Sequence, residues 1–303
     1  MEEGVRMKRK IKIIVNPVSG SGRRKKALRM IDKHLDREKF EFEIQKTEYH
    51  RHAIELTNQA VAEGCEAVII AGGDGSINEV GATLAGTNVA LGIIPAGSGN
   101  GLSRSLGISM NPKLAVENIN NFNFRTIDTG LANGIPFMNM AGVGFDAAVA
   151  DAFHKQKMRG FIKYFLLGLK TLRDYKLQTY SIVADGREFD RRAHLISMAN
   201  SPQYGNDALV APKALVDDGM LDAVVVNPFP FYQYFLLFYR LFRGTLNESP
   251  HIKTFKFKEM KITQERPDVS HLDGDPFDLG QEVIIKINPM SLKVIVPNEQ
   301  TEA

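Results

Sequence analysis

The sequence predicts an α/β domain with a parallel sheet and flanking helices over residues 1–126, followed by a β-rich, antiparallel, sandwich-like domain over residues 127–303. Three observations predict this. Short apolar, β-branched runs recur in the first half without polar alternation, as strands buried on both faces of a parallel sheet do. Glycine-rich loops end these runs, and helical spacing fills the gaps between them. After about residue 125, helices become scarce and strand-length runs follow one another across turn dipeptides.

Residues 11–15 form the first strand, which ends in Asn16-Pro17-Val18-Ser19-Gly20-Ser21-Gly22. A basic helix follows over 23–35. Phe40, Phe42 and Ile44 alternate with polar residues, so 40–46 is a second strand. Ile54, Leu56 and Val61 mark an amphipathic helix over 52–63. The apolar run 67–71 stops at Gly72-Gly73-Asp74-Gly75-Ser76, and Ile77, Val80 and Leu84 then space as a helix. A further apolar run, 89–94, stops at Pro95-Ala96-Gly97-Ser98-Gly99-Asn100. A short helix is expected over 111–118, and 120–124 reads as a polar linker.

In the second domain strands are expected at 126–131, 136–143, 178–184, 193–199, 222–226, 253–263, 283–288 and 292–296. Turns at Asn133-Gly134, Asp185-Gly186, Asp218-Gly219 and Asp273-Gly274 separate many of them. Helices interrupt at 147–173 and 231–242. The extreme C-terminus could return to the first domain.

A chain of 303 residues with 44% hydrophobic content can build a sizeable core. A formal charge of +3 gives no reason to expect nucleic acid and allows a mild attraction to anionic membranes. Cys65 is the single cysteine, which excludes an internal disulfide and suits a reducing, cytoplasmic setting. The start MEEGVRMKRK has no apolar segment after its charges and is not expected to be a secretory signal. The greasiest stretch, 229–242, is broken by Arg240 and too short to span a bilayer. A core helix is the expectation there, with a peripheral membrane contact the minority one.

Neither a Walker A motif nor a dinucleotide GxGxxG is present. Instead three glycine loops, 16–22, 72–76 and 95–101, end three strands of one sheet. Glycines let backbone N–H groups approach one anion, and the helix after Ser76 adds its positive end. Any one such loop is only a turn; three together suit a polyphosphate. Asp74 stands out among them. A carboxylate beside phosphate is unfavourable unless it holds a metal or a proton, and both uses suit phosphoryl transfer. A helix N-cap is the bland alternative.

GGDGS at 72–76 with PAGSGN at 95–100 resembles the diacylglycerol kinase catalytic domain, shared by bacterial lipid kinases, sphingosine kinases and ceramide kinases. The GGDG loop more distantly resembles NAD kinases and 6-phosphofructokinases. Further motifs resemble the family in its order: Asn16-Pro17 with Ser19-Gly20, Thr47 before His52-Ala53, and GVGFD at 142–146. Pro212 with Asp217-Asp218-Gly219 and Leu221-Asp222 follow, and then Leu272-Asp273-Gly274-Asp275. The resemblance covers nearly the whole chain.

It implies an NAD kinase/diacylglycerol kinase-like fold and an ATP- and Mg²⁺-dependent lipid kinase. The γ-phosphoryl group of ATP would pass to a lipid with a free hydroxyl, diacylglycerol-like or sphingoid. By resemblance Asn16, Ser19, Gly20, Thr47, Gly72, Gly73, Gly75, Ser76, Glu79, Ser98, Gly99, Asn100 and Asp275 would surround ATP, Asp275 standing where glutamate is usual. Asp74 or Asp273 would take the hydroxyl proton. Leu215, Asp218 and Met220 would hold a structural Mg²⁺. Asn100 followed by Gly101 leans towards sphingosine kinases. Ala148, at the position of their amine-binding acid, leans away, with Asp146 in the ordinary bacterial place and Asp151 a weak substitute. The stretches 161–172 and 229–242 are candidates to line an acyl pocket. The resemblance also implies transient contact with the inner face of the membrane, and some second-domain strands could pair across a homodimer. Two alternatives stand beside it: a catalytically silent nucleotide- or lipid-binding regulator on the same fold, and a soluble-substrate kinase resembling NAD kinase.

Overall fold

A computed structural model describes residues 7–17, 21–97, 99–145, 147–149 and 161–298. The chain divides into two compact units, Met1–Ile127 with Ser291–Ala303, and Asp128–Met290.

The first unit is a parallel sheet between two helical layers. Its strands are β1 (Arg9–Val15), β2 (Phe40–Lys46), β3 (Ala67–Gly72) and β4 (Ala90–Pro95), in the order β2-β1-β3-β4. Every residue of β3 and β4 is buried, which is why neither alternates. Helices α1 (Ser21–His34) and α5 (Pro112–Asn121) cover one face, where Ile13, Ile69 and Ile94 meet Ala27, Ile31 and Ile119. Helices α2 (His52–Ala62) and α3 (Asp74–Leu84) pack on each other and on β1, β3 and β4. A five-residue helix, α4 (Gly101–Ser105), follows β4 and has no sequence signal long enough to announce it.

Residues 120–124 are not a linker. Asn120 Nδ2 donates to the His34 carbonyl at 2.8 Å, and its Oδ1 accepts the Asp36 amide at 3.0 Å. The asparagine thus satisfies the frayed end of α1. Phe122 ends α5 in the left-handed region (φ 56°), its ring tilted against Phe40 and edge-on to Phe124.

Strand β5 (Phe124–Ala132) carries the chain into the second unit. There β6 (Ile135–Phe137), β7 (Met140–Gly144), β8 (Gln178–Ala184), β9 (Arg187–Ala193), β10 (Leu195–Ala199), β11 (Leu221–Val226), β12 (Ile252–Phe257), β13 (Glu259–Gln264), β14 (Ser270–Leu272), β15 (Asp275–Phe277) and β16 (Glu282–Ile295) follow, with helices α6 (Phe161–Asp174) and α7 (Gln233–Arg243). One sheet runs β12-β11-β10-β7-β14-β15, and β16-β13-β8-β9 run side by side in another. The neighbours with recorded register within this unit are antiparallel. Tyr180, Ile182 and Ile262 of one sheet share a core with Val143, Ile196 and Val225 of the other, the sandwich-like arrangement expected.

Several strands differ from their sequence outlines. The run 136–143 breaks at Met138-Asn139 into β6 and β7, and 253–263 breaks at Lys258 into β12 and β13. The run 193–199 starts only at Leu195. The runs 283–288 and 292–296 are one strand, bent at Met290 (φ 48°). β9 went unrecognised because REFDRRA is an edge strand, mostly exposed and charged. Of the helix expected over 147–173, residues 147–149 and α6 are helical; 150–160 lie outside the described residues. The stretch 229–242 is only partly a core helix: α7 buries Tyr234 and Leu237 but exposes Phe235, Leu236 and Tyr239.

Candidate active site

In the first unit the loops after β1, β3 and β4 interlock. Asn16 Nδ2 donates to Ser76 Oγ at 2.6 Å, joining the first loop to the second. The Asp74 carboxylate joins the second to the third: Oδ2 accepts the Asn100 amide and Oδ1 the Gly101 amide, each at 2.8 Å. Asp74 is therefore the first residue of α3 and, through its side chain, the cap of α4. Glycine is needed where these loops touch. A Cβ on Gly97 would lie 2.6 Å from Gly73 Cα, and one on Gly99 would lie 2.7 Å from Asp74 Oδ2.

The charges here suit a polyphosphate. Gly73 precedes α3 in extended conformation and supplies no side-chain cap, leaving a helix N-terminus uncovered by a side chain. Arg23 of α1 donates to the Gly97 carbonyl at 2.5 Å and Arg104 of α4 to the Gly99 carbonyl at 3.2 Å, so two guanidinium groups flank the third loop. Asn100, in the left-handed region (φ 53°), is buried, and its Oδ1 accepts nothing from the described residues. That oxygen and the Asp74 carboxylate are the ligand types a hard cation takes. Thr47 is buried at the end of β2, its amide donating to the Val15 carbonyl at 3.0 Å. Glu79, in the second turn of α3, lies 3.8 Å from His50 Nδ1. Gly72 closes β3, and Gly75 is in the first turn of α3. Ser19, Gly20, Ser98, Asp146 and Asp151 lie outside the described residues.

In the second unit Asp273 and Gly274 form the two-residue turn between β14 and β15, with φ 52° and 90°. Positive φ at both positions is the mark of the tight hairpin turn that favours Asp-Gly. The Asp273 carboxylate is turned onto the β6–β7 connection. Oδ2 accepts the Met138 amide at 2.8 Å, and Oδ1 accepts the Asn139 and Met140 amides at 2.7 and 2.8 Å. Burial pushes its carboxyl up to about 6, while the three amides and His271 pull it down. Asp275 begins β15, paired with Leu272.

At the Asp217-Asp218-Gly219 turn, Lys256 Nζ donates to Asp218 Oδ2 and Asp222 Oδ2, both at 2.8 Å. Burial works against its charge, but the two carboxylates hold the ammonium above its ordinary value. Asp218 Oδ1 accepts the Met220 amide at 3.0 Å, and Leu215 is exposed. Among the described residues no group of three metal-type side chains gathers anywhere, so a cation here would rely on backbone carbonyls and share Asp218 with Lys256.

Sequence reasoning missed Asp128. It is buried, and its Oδ2 accepts the Gly219 amide and its Oδ1 the Met290 amide, both at 2.7 Å. The signal was present, a lone acid between Ile127 and Thr129 in a strand run. Arg23 was missed too, as one of many basic residues on α1.

Residues 10–132 match the Diacylglycerol kinase catalytic domain, and residues 139–296 match the YegS C-terminal NAD kinase beta sandwich-like domain. The chain is 32% identical to a diacylglycerol kinase of Mycobacterium tuberculosis over 95% of each chain. It is 30% identical to a protein of Pseudomonas aeruginosa named as a YegS-like lipid kinase, over 80% of each. The crystal structure of a diacylglycerol kinase from Bacillus anthracis, 22% identical, shares the fold with a TM-score of 0.74 over 95% of this chain and 97% of that one. Two domain matches that together span the chain, and a relative alike along its whole length, make this protein a member of the diacylglycerol kinase family of lipid kinases.

Proposed function

We propose that the protein transfers the γ-phosphoryl group of ATP, with Mg²⁺, to the free hydroxyl of a diacylglycerol-like or sphingoid lipid. The observation that carries this is the interlock of three loops by Asn16–Ser76 and Asp74–Asn100–Gly101 at the open N-terminus of α3. Positioning and preorganised electrostatics are most of what phosphoryl transfer asks of a protein. Asn16, Thr47, Gly72, Gly73, Gly75, Ser76, Glu79, Gly99 and Asn100, with Ser19, Gly20 and Ser98, would hold the nucleotide, and Asp275 is added to them on the family resemblance alone. Mg²⁺, when bound, would screen the phosphate charge, with Asp74 and Asn100 Oδ1 as its protein oxygens.

The preformed amide dipoles need no reorganisation as charge develops on the transferred group. Asp74 keeps lone pairs beyond the two amides it accepts and is only partly buried. Asp273 has a carboxyl raised to about 6, close to what a general base at neutral pH needs, though three amides already occupy it. A structural Mg²⁺ at Leu215, Asp218 and Met220 is a separate proposal. Magnesium should then raise the melting temperature of the wild type and not of Asp218→Asn.

A labelled-ATP screen in mixed micelles tests the main proposal, using diacylglycerol, monoacylglycerol, phosphatidylglycerol, sphingoid bases and ceramide. Magnesium-dependent label in a lipid product is expected. Label entering NAD instead would favour a soluble-substrate kinase. ATP binding with no transfer to any acceptor would favour a silent regulator.

A further inference from the structure

Among the described residues, the second unit carries an exposed apolar surface on helix α7. Helix α7 has two apolar faces. Tyr234 and Leu237 point inward, and a Cβ added to Gly168 of α6 would lie 2.3 Å from the Tyr234 hydroxyl, so that face is closely packed. On the opposite side Tyr232, Phe235, Leu236 and Tyr239 recur at helical spacing, from 44% to 70% exposed, with Phe231 just before them 53% exposed. Scattered exposed apolar residues are ordinary; a continuous aromatic stripe on one helix is not.

The charge around the stripe has one sign. Arg240 and Arg243 lie in the last turn of α7. Lys213 is exposed next to Pro212, whose Cγ would lie 4.0 Å from a Cβ on Gly244, so a third cation stands near the end of the helix. None of the three forms an ion pair among the described residues, and one Arg240 nitrogen is buried without a hydrogen-bond partner. No acidic residue occurs between Asp222 and Glu248.

We infer that this face of α7 docks on the surface of a membrane leaflet containing anionic phospholipid. Tyrosine and phenylalanine suit the boundary between headgroups and acyl chains, where a ring is buried and a hydroxyl stays wet. Arginines at the end of such a helix find their counter-charge in lipid phosphates. A second copy of the chain would bring the same cations and no carboxylate from this segment, so symmetric pairing leaves the arginines uncompensated. The inference deepens the proposed lipid-kinase function and rests on it for its purpose, but not for its test.

The full-length protein is floated with vesicles of phosphatidylcholine alone and of phosphatidylcholine with phosphatidylglycerol. Binding to the anionic vesicles that weakens with salt is expected. The Arg240→Gln/Arg243→Gln variant should bind them roughly thirtyfold less tightly. Tyr232→Ser/Phe235→Ser/Tyr239→Ser should lose at least about tenfold on the same vesicles. Arg243, Tyr232, Phe235 and Tyr239 are exposed and Arg240 is half-buried, and both variants should still unfold cooperatively near the wild-type melting temperature. Wild-type affinity in either variant would overturn the inference, as would a wild type that ignores vesicles while phosphorylating dissolved lipid. A wild-type dimer that these substitutions dissociate, with vesicle binding unchanged, would assign the face to a second copy and overturn it equally. Vesicle binding lost in the variants of a chain that phosphorylates nothing would uphold the docking face and remove the kinase proposal.

Discussion

The Asp74 carboxylate and the Gly101 amide, 27 residues apart in sequence, are joined by a 2.8 Å hydrogen bond. Its other oxygen holds Asn100 at the same distance. The side chain proposed to meet phosphate and metal is thus also what starts α4. Asp74→Asn keeps one acceptor and removes the negative charge. Lipid phosphorylation should fall by roughly 10²–10⁴-fold, while the loss of one of two caps costs about 1 kcal/mol. Thermal melting beside a turnover assay separates the effects, and a folded Asp74→Asn enzyme with wild-type turnover would remove Asp74 from the mechanism.

Gly97 sits where the third loop crosses the second. A Cβ there would press on Gly73 Cα at 2.6 Å, a backbone contact that cannot swing aside. Gly97→Ala should therefore push the two loops apart and raise the KM for ATP by at least about tenfold, since misplacements of an ångström cost up to about a hundredfold. Unchanged nucleotide affinity in that variant would mean that the loop spacing does not matter to the ligand.

Asp273 sets a pH dependence whose sign is unusual for a carboxylate. Its folded-state value, about 6, lies above the ordinary 3.8, so the folded protein holds this proton more tightly than the unfolded chain does. The group therefore favours folding below about pH 4 and withdraws that support as pH rises to about 6. Asp273→Asn, less stable overall because an amide then faces an N–H donor, should lack this component. Denaturant melts between pH 4 and 7 should show the gap between wild type and variant narrowing as pH rises. Parallel curves would show that the three amides outweigh burial.

Asp128 is the residue whose loss should cost most without touching the proposed chemistry. Asp128→Ala removes the buried carboxylate that accepts from the partly exposed Gly219 and Met290 amides. At about 1–3 kcal/mol for each unsatisfied group, the unfolding free energy should drop by about 2–6 kcal/mol in urea titration. A drop below about 0.5 kcal/mol would mean that water replaces the carboxylate freely.

What could be read from the sequence follows from where burial is complete. β3 and β4 are buried at every position, so their apolar runs and the glycines ending them are visible without a structure. Strand β11 shows for the same reason, and β8 because its buried positions alternate with more exposed ones. β9 hides behind its charges, and β14 and β15 are three residues each, too short for a period to register. The motifs at the site were legible because glycine and aspartate have few structural substitutes there. Their partners were not. Nothing in the spacing of Asp74 and Gly101, or of Asp273 and Met138, announces a hydrogen bond, since these meetings are made by the topology. Asp128 shows the same limit, because a single acid in a strand gives no hint of which amides it will hold.

The course of β16 bears on how the protein is made. Its first part pairs with β13, and only at Val294 does it meet Leu91 of β4. Asn118 Nδ2 donates to the Ile295 carbonyl at 3.3 Å, and the Val296 amide donates to the Asn123 carbonyl at 2.9 Å. The first unit therefore acquires its last strand from residues that leave the ribosome after the whole second unit. During synthesis β4, complete at Pro95, waits with one edge open until Val294 is added, a template for unwanted strand pairing. A nascent chain stopped short of Ser291 would carry every glycine loop of the proposed site and still lack the strand that completes its sheet.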